Sequence, residues 1–203
     1  MLKRASLFFV ILILTSLAAA EDYGRFDFSL AAAAGLSKQS SGNQVTLKPT
    51  QGGGVLVSGR VRFGARSALE FDYSRILNTQ KFEAPPFFYN FNTSVREYTG
   101  AYVFTPFKTG KWEPFLLAGI GALSFYPRIT YLNGVQTIYS SVNQTQFAYV
   151  YGAGTDYHAW KWIFVRAQYR GIIYKAPDFK LTNLFTGAHG HLAEPSIGLV
   201  FRF

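Results

Sequence analysis

The sequence predicts an all-β protein, an eight-stranded antiparallel up-and-down transmembrane β-barrel preceded by a cleaved N-terminal signal peptide. Three observations predict this fold. Apolar and polar residues alternate with period two through most of the chain, as in strands with one apolar and one polar face. Aromatic residues are frequent, with 20 Phe, 13 Tyr and 3 Trp. After residue 20 no segment approaches the roughly 18 apolar residues of a membrane helix.

Residues 1–20 have the features of an export signal. Lys3 and Arg4 form a short basic start, residues 7–14 are an unbroken apolar run, and residues 18–20 are three alanines that precede Glu21. An anchor helix is the alternative, but the apolar run is shorter than the roughly 20 residues that a membrane-spanning helix needs. We therefore expect residues 1–20 to be removed, leaving residues 21–203 as one barrel domain.

The first four strands are predicted at 25–36, 54–63, 68–76 and 94–104. The third shows the pattern best, because Leu69, Phe71 and Tyr73 alternate with Glu70 and Asp72. A membrane barrel turns the apolar face of such a strand to lipid and the polar face into its lumen.

The last four strands are predicted at 114–126, 146–157, 163–173 and 196–203. The fifth strand is apolar on both faces, so the pattern leaves its orientation open. Across the whole barrel we expect the lipid-facing set to include Phe26, Phe71, Tyr73, Val165, Leu199 and Phe201.

The predicted connections alternate in length. Those near 37–53, 77–93, 127–145 and 174–193 are long, whereas those near 64–67, 105–113 and 158–162 are short. Short periplasmic turns and long extracellular loops are typical of outer-membrane barrels. Trp112, Trp160 and Trp162 all lie in or beside the short connections, as expected for rings at one membrane–water boundary. No helical crossover is indicated, so the strands form an antiparallel meander.

Composition narrows the classes of function. The chain has no cysteine, which excludes disulfides, thiolate metal sites and a cysteine nucleophile. Its formal net charge is +9, and it falls to +7 when Lys3 and Arg4 are removed. Because an exported chain rarely meets nucleic acid, we expect no such partner. The phosphates of lipopolysaccharide are the better acidic partner, and a merely solvated basic surface is the alternative.

Charged residues on the polar faces form the predicted lumen. Period-two parity directs five arginines and five carboxylates inward, and paired charges of equal number would plug a narrow barrel, since an unpaired buried charge is costly. The same residues could also serve a narrow gated pore. The inward set is Arg60, Arg62, Arg166, Arg170 and Arg202, with Asp27, Glu70, Asp72, Glu97 and Asp156.

One cluster of residues resembles a catalytic set. His189, His191, Glu194 and Ser196 could supply a base, an acid and a nucleophile, but parity should turn Ser196 into the lumen. A metal site at the two histidines lacks a clear third ligand. Gly119-Ile120-Gly121 and Gly152-Ala153-Gly154 lie inside strands, where glycine allows a neighbouring aromatic ring to approach closely. We expect no cofactor and no enzymatic activity.

The chain resembles the small OmpA/OmpX-like outer-membrane β-barrel family. The likeness rests on the signal peptide and on four segments of the mature chain: Val61 to Tyr73, Trp112-Glu113-Pro114-Phe115 with the glycines that follow, Tyr151 to Tyr157, and Gly198 to Phe203. A terminal Phe203 preceded by Leu199 and Phe201 looks like the family's C-terminal signal, which the barrel assembly machinery reads.

The resemblance implies a monomer in the cell outer membrane of a Gram-negative bacterium, in contact with lipid and lipopolysaccharide. Because the family is functionally mixed, the expected role is structural or one of surface contact through long loops. A lipid-modifying enzyme similar to lipid A deacylases and a soluble lipocalin-like barrel are the alternatives from other classes.

Overall fold

The computed structural model describes residues 24–137 and 142–203. The predicted signal peptide at 1–20 and part of the predicted connection at 127–145 lie outside the described residues. No described helix is long and apolar enough to cross a membrane. The strands are Phe26–Ser37 (β1), Ser40–Gly42 (β2), Val45–Pro49 (β3), Gly52–Arg62 (β4), Ser67–Ala84 (β5), Phe87–Phe104 (β6), Trp112–Leu132 (β7), Val135–Thr137 (β8), Gln144–Trp160 (β9), Ile163–Lys175 (β10) and His189–Arg202 (β11).

Eight of these strands close a barrel. Each pairs antiparallel with its neighbours in the order β1, β4, β5, β6, β7, β9, β10, β11, and β11 pairs back to β1. The remaining three extend the wall: β2 and β3 form a hairpin whose second strand pairs with β5, and β8 pairs with the end of β7. The predicted eight-stranded antiparallel barrel is confirmed.

The two ends of the barrel differ. One end, which we call the turn end, carries the connections 63–66, 105–111 and 161–162 together with residues 24 and 203. The opposite end, the hairpin end, carries strands that run well past the predicted bounds. The predicted long connection at 77–93 is wrong, because β5 and β6 continue as a hairpin joined only by Pro85 and Pro86.

The amphipathic pattern reverses along these long strands. Near the turn end of β5, Glu70 is buried inside and Phe71 is exposed outside. Near the hairpin end of the same strand, Phe82 is buried inside and Lys81 is exposed outside. A wall that faces hydrocarbon must be apolar outside, whereas a wall that faces water is polar outside and can hold an apolar core. The reversal marks the place where the wall leaves the apolar layer.

Strand β7 has the orientation that its sequence left open. Phe115, Leu117, Leu123 and Phe125 are buried inside the barrel, whereas Leu116 and Ile120 are exposed on the outer face. Trp112, Trp160 and Trp162 are also exposed, and all three lie at the turn end. The outer wall near this end therefore combines apolar side chains with a band of indole rings, as expected at a membrane boundary.

Candidate functional site: the lumen and the outer surface

The centre of the lumen holds a four-residue charge cluster. Arg60 and Glu70 lie directly opposite each other on β4 and β5, and Asp156 and Arg166 do so on β9 and β10. Arg60 Nε donates to Glu70 Oε2 over 2.8 Å, and Arg166 Nη1 donates to the same oxygen over 2.7 Å. Arg166 also donates to both Asp156 oxygens, over 2.7 and 2.9 Å. All four side chains are buried. Because Arg60 Nη1 also donates to Asp156 Oδ2 over 3.4 Å, each guanidinium bridges two carboxylates.

An aromatic ring supports this cluster from β7. The Phe115 ring centroid lies 4.3 Å from the Arg60 guanidinium carbon and 5.1 Å from that of Arg166. The ring occupies the space beside Gly154, where a Cβ would stand 2.5 Å from the ring edge. Glycine at this strand position thus permits the close approach of an aromatic neighbour, which fixes the plane on which both arginines stack.

A second cluster lies nearer the turn end. Asp27 accepts hydrogen bonds from Arg62 over 2.8 Å and from Arg202 over 2.9 Å. Arg202 Nη1 also donates to Glu113 Oε1 over 3.1 Å, and Lys108 lies 3.1 Å from the same oxygen. This cluster continues the central one, because Arg62 and Arg202 are both within 4 Å of Asp156.

The third cluster lies on the hairpin side of the centre and has a single arginine. Arg170 Nη1 donates to Glu194 over 3.0 Å, Nη2 donates to Glu97, and Asp72 lies 3.5 Å away. Ser74 Oγ lies 2.9 Å from Glu194 Oε2 and 3.2 Å from Glu97 Oε2, so its hydroxyl can donate to either carboxylate. All of these groups are buried. One guanidinium therefore holds three carboxylates together.

The charges of the described lumen are not equal in number. Glu113 and Glu194 join the five predicted carboxylates, so seven carboxylates face five arginines. Parity does not direct Glu194 inward because it lies between the predicted connection 174–193 and the predicted strand 196–203. Glu113 is outside the predicted set because it precedes the predicted strand 114–126. Both lie in strands and point inward.

Buried apolar side chains fill the lumen at the hairpin end. Phe82, Phe91 and Phe179 are fully buried, and their ring centroids lie 4.7 to 6.0 Å apart. Phe179 belongs to the connection 176–188, which folds into the barrel mouth and also buries Leu184. Leu47 on the additional strand β3 is buried as well. We use the term apolar cap for Leu47, Phe82, Phe91, Phe179 and Leu184.

Gln144 holds the connection 176–188 in place. Its Oε1 accepts hydrogen bonds from the backbone N–H groups of Asp178 and Phe179 over 3.0 and 2.8 Å, and its Nε2 donates to Asp178 Oδ1 over 2.9 Å. Phe179 and Lys180 have φ of 51° and 60°, the left-handed region that non-glycine residues seldom adopt. Packing of the Phe179 ring and these hydrogen bonds offset the cost of that backbone turn.

The residues considered as a catalytic set do not come together. His191 lies on the outer face, where its Nε2 is 2.8 Å from the Tyr151 hydroxyl, and His189 is exposed. Glu194 and Ser196 are buried inside the barrel. The sheet thus separates both histidines from the acid and the hydroxyl. Among the described residues no group of three or more His, Asp or Glu is arranged to hold a metal ion.

Basic residues dominate the described surface beyond the lumen at the hairpin end. Eight basic side chains and two acidic ones, Glu83 and Asp178, lie on this end or on the outer wall below it, an excess of six positive charges. Glu83 is already paired with Lys48 at 2.7 Å. The basic residues are Lys38, Lys48, Arg75, Lys81, Arg96, Arg128, Lys175 and Lys180.

The C-terminal segment completes the barrel seam. Leu199 and Phe203 are exposed on the outer face, and Phe201 is half-buried there beside Trp162, with ring centroids 5.6 Å apart. The backbone of Phe203 exchanges two hydrogen bonds with that of Phe26 in β1, over 3.1 and 2.8 Å. The last residue of the chain therefore takes part in closing the barrel.

Comparison with known proteins agrees with this architecture. The family described as "Outer membrane protein beta-barrel domain" matches residues 7–203. No curated protein matches the chain significantly in sequence. Among solved structures, neisserial surface protein A (NspA) is 17% identical, with a TM-score of 0.61 and coverage of 90% of this chain and 100% of that one. OprG of Pseudomonas aeruginosa is 10% identical, with a TM-score of 0.63 and coverage of 89% and 96%.

A third solved structure contains a bound ligand. Ail, the attachment invasion locus protein of Yersinia pestis, is 14% identical to the chain in its complex with the heparin analogue sucrose octasulfate. The TM-score is 0.51, and the match covers 88% of this chain and 99% of that one. At these identities the three structures show a shared fold.

Proposed function

The chain belongs to the outer membrane protein beta-barrel domain family and resides in the cell outer membrane, and from this premise we propose that it is a sealed, non-catalytic barrel that acts through its external surface. The hairpin end faces the outside, because short turns lie on the periplasmic side in barrels of this kind. It has a structural role, and its outer surface contacts anionic saccharides.

The observation that carries the proposal is the distribution of charge. The described lumen has two more carboxylates than arginines and is filled by ion pairs and by the apolar cap. The hairpin end and the wall below it have six more basic than acidic side chains. Positive charge that lies away from the lumen cannot select a solute that passes through it, but it attracts anions at the cell surface.

The chemistry of the partner follows from this surface. Exposed lysines at separate positions, such as Lys38 and Lys180, suit an extended chain with many negative groups better than one compact anion. Ail in complex with a heparin analogue is an example of a polyanionic saccharide bound to a barrel of similar fold. The lipopolysaccharide around the barrel offers negatively charged sugars of the same general type.

Binding to an immobilised sulfated polysaccharide tests the proposal. Detergent-solubilised wild-type protein should bind at low salt and be released as ionic strength rises, whereas an uncharged dextran should retain none. The variant K38Q/K180Q should bind more weakly than R66Q/K161Q, which removes the same charge at the turn end. Equal weakening by both variants, or no binding by the wild type, would overturn the surface-contact role.

A further inference from the structure

Two arginines lie side by side on the outer wall of the barrel with no acid between them. Arg75 on β5 and Arg96 on β6 are direct cross-strand partners on the outward face. Arg75 Nε donates to Ser94 Oγ over 3.2 Å, and the Arg96 guanidinium lies 4.4 Å above the Tyr126 ring. Neither takes part in an ion pair with any described residue, and like charges placed directly opposite in a sheet destabilise it.

The two arginines lie at the same height in the barrel wall. Each arginine lies eight residues from the turn-end limit of its strand, Ser67 or Phe104, which is roughly 20 Å along the barrel axis for a tilted strand. Between the pair and the turn end, the outward side chains include Leu69, Phe71 and Tyr102, all exposed. Leu77, the next outward residue on β5, is exposed as well, so the arginines stand just inside the outer margin of the apolar belt, close to the headgroups of the outer leaflet.

A cleft with both polar and apolar walls lies above the pair. It is lined by Leu77, Thr79, Asn92 and Arg128, together with Thr50 and Gln51 of the connection to β4. Arg128 is exposed and lies four residues beyond Ser124, the cross-strand partner of Arg96, or about 13 Å along the strand. Since Glu83 is held by Lys48, the nearest acid on this face is already neutralised.

Repulsion between the two guanidinium groups is the cost that a ligand can remove. The two arginines are direct cross-strand partners, and like charges in this arrangement destabilise a sheet. An anion between the two guanidinium groups would offset this repulsion, because guanidinium groups bind phosphate oxygens through paired hydrogen bonds.

We propose that Arg75 and Arg96, with Arg128 above them, form a binding site for the phosphate groups of a lipopolysaccharide lipid anchor on the outer wall of the barrel. This site rests on the proposed function only for its orientation, with the hairpin end outside. A membrane-embedded phosphate is the fitting occupant because the outward face below the site is apolar. Acyl chains would pack along that face while the sugar phosphates meet the arginines.

Thermal unfolding with added lipid, read by heat-modifiable gel mobility in a neutral detergent, tests the site. Phosphorylated lipopolysaccharide should raise the unfolding midpoint of the wild type, and dephosphorylated lipopolysaccharide should not. In R75Q/R96Q the concentration that gives the half-maximal shift should rise at least about tenfold, the loss expected for two charge-assisted contacts. R66Q/K161Q, which removes two charges at the turn end, should stay within about twofold of the wild type.

Further variants keep the test decisive. If R75Q/R96Q does not fold, R128Q should still require a severalfold higher lipid concentration, and R75K/R96K should keep part of the response. An equal shift with inorganic phosphate, or with the dephosphorylated lipid, would overturn the lipid site. So would equal losses in R75Q/R96Q and R66Q/K161Q. The polysaccharide test uses Lys38 and Lys180, so either proposal can fail without the other.

Discussion

Arg60 and Glu70 are joined by a direct hydrogen bond, but neither depends on the other alone. Glu70 also accepts from Arg166, and Arg60 also donates to Asp156, over 2.7 and 3.4 Å. R60A should lower the free energy of unfolding by about 1–3 kcal/mol, less than for an isolated buried pair. R60A/E70A should recover part of this loss. Urea unfolding of R60A, E70A and R60A/E70A in lipid vesicles gives the double-mutant cycle. Strictly additive effects would show that the two charges do not interact.

Arg170 has no such substitute. It is the one guanidinium that contacts Asp72, Glu97 and Glu194 among the described residues, so R170M would leave three carboxylates with hydroxyl partners only. We expect R170M to lower the free energy of unfolding by several kcal/mol, at least about 2 kcal/mol more than R60M. The same urea titration compares the two variants. A smaller effect for R170M would contradict the assignment of one cation to three acids.

For single residues, the alternation of polar and apolar side chains along the strands predicts which side chains enter the lumen. It places Arg60, Glu70, Asp156 and Arg166 inward, and the structure places them there. It does not predict that Arg166 bridges two carboxylates from opposite sides of the barrel, because residues about 96 positions apart meet only when the barrel closes. Nor does it reveal the ring of Phe115 beneath them, since β7 is apolar on both faces.

The connection 176–188 behaves as a separate element because it packs inside the mouth rather than over it. Gln144 makes three hydrogen bonds to it and Phe179 anchors it in the apolar cap. Q144A should raise the rate at which protease added from the hairpin side cuts this connection, about tenfold if roughly 1.4 kcal/mol of local stability is lost. Heat-modifiable mobility serves as the control for an intact barrel. An unchanged cleavage rate would show that Gln144 does not hold the connection.

The C-terminal strand β11 offers a test of assembly. Leu199, Phe201 and Phe203 lie on the outer face, and Phe203 makes only two backbone hydrogen bonds and an exposed ring contact near Trp162. Deleting Phe203 should reduce the amount of folded protein in the outer membrane much more than its small buried area would suggest, if the assembly machinery reads the terminus. Immunoblots of membrane fractions measure this, with deletion of Arg25 as a matched control. Normal levels would count against the signal.

The ends of the barrel strands show where the alternation of polar and apolar residues no longer predicts a strand. Within the apolar belt, polar residues point inward and apolar ones outward on every barrel strand except β7, which is apolar on both faces. Beyond Leu77 the arrangement reverses, with Phe82 inside and Lys81 outside. If the polar face is expected to point inward along the whole strand, residues 77–93 no longer fit a strand and are predicted to be a loop. Water on the outer face, instead of hydrocarbon, is the physical reason for the reversal.

Two sets of side chains fill the described part of the barrel at different levels. Ion pairs fill the lumen on the side of the turn end, and the apolar cap fills the hairpin end. Eight strands leave an interior that side chains can fill, so the sequence could predict a plugged lumen once the strands were counted. It could not predict an apolar upper plug, because that plug depends on the inserted connection 176–188 and on the strands that rise beyond the membrane.

Single-channel current in planar bilayers tests this sealed lumen most directly. The wild type should show no steady opening. A variant in which residues 177–187 are replaced by a short glycine and serine linker should also stay closed, because the ion pairs of Arg60 and Arg166 still fill the level below. A steady conductance that passes small ions of either sign through the wild-type protein would contradict the account.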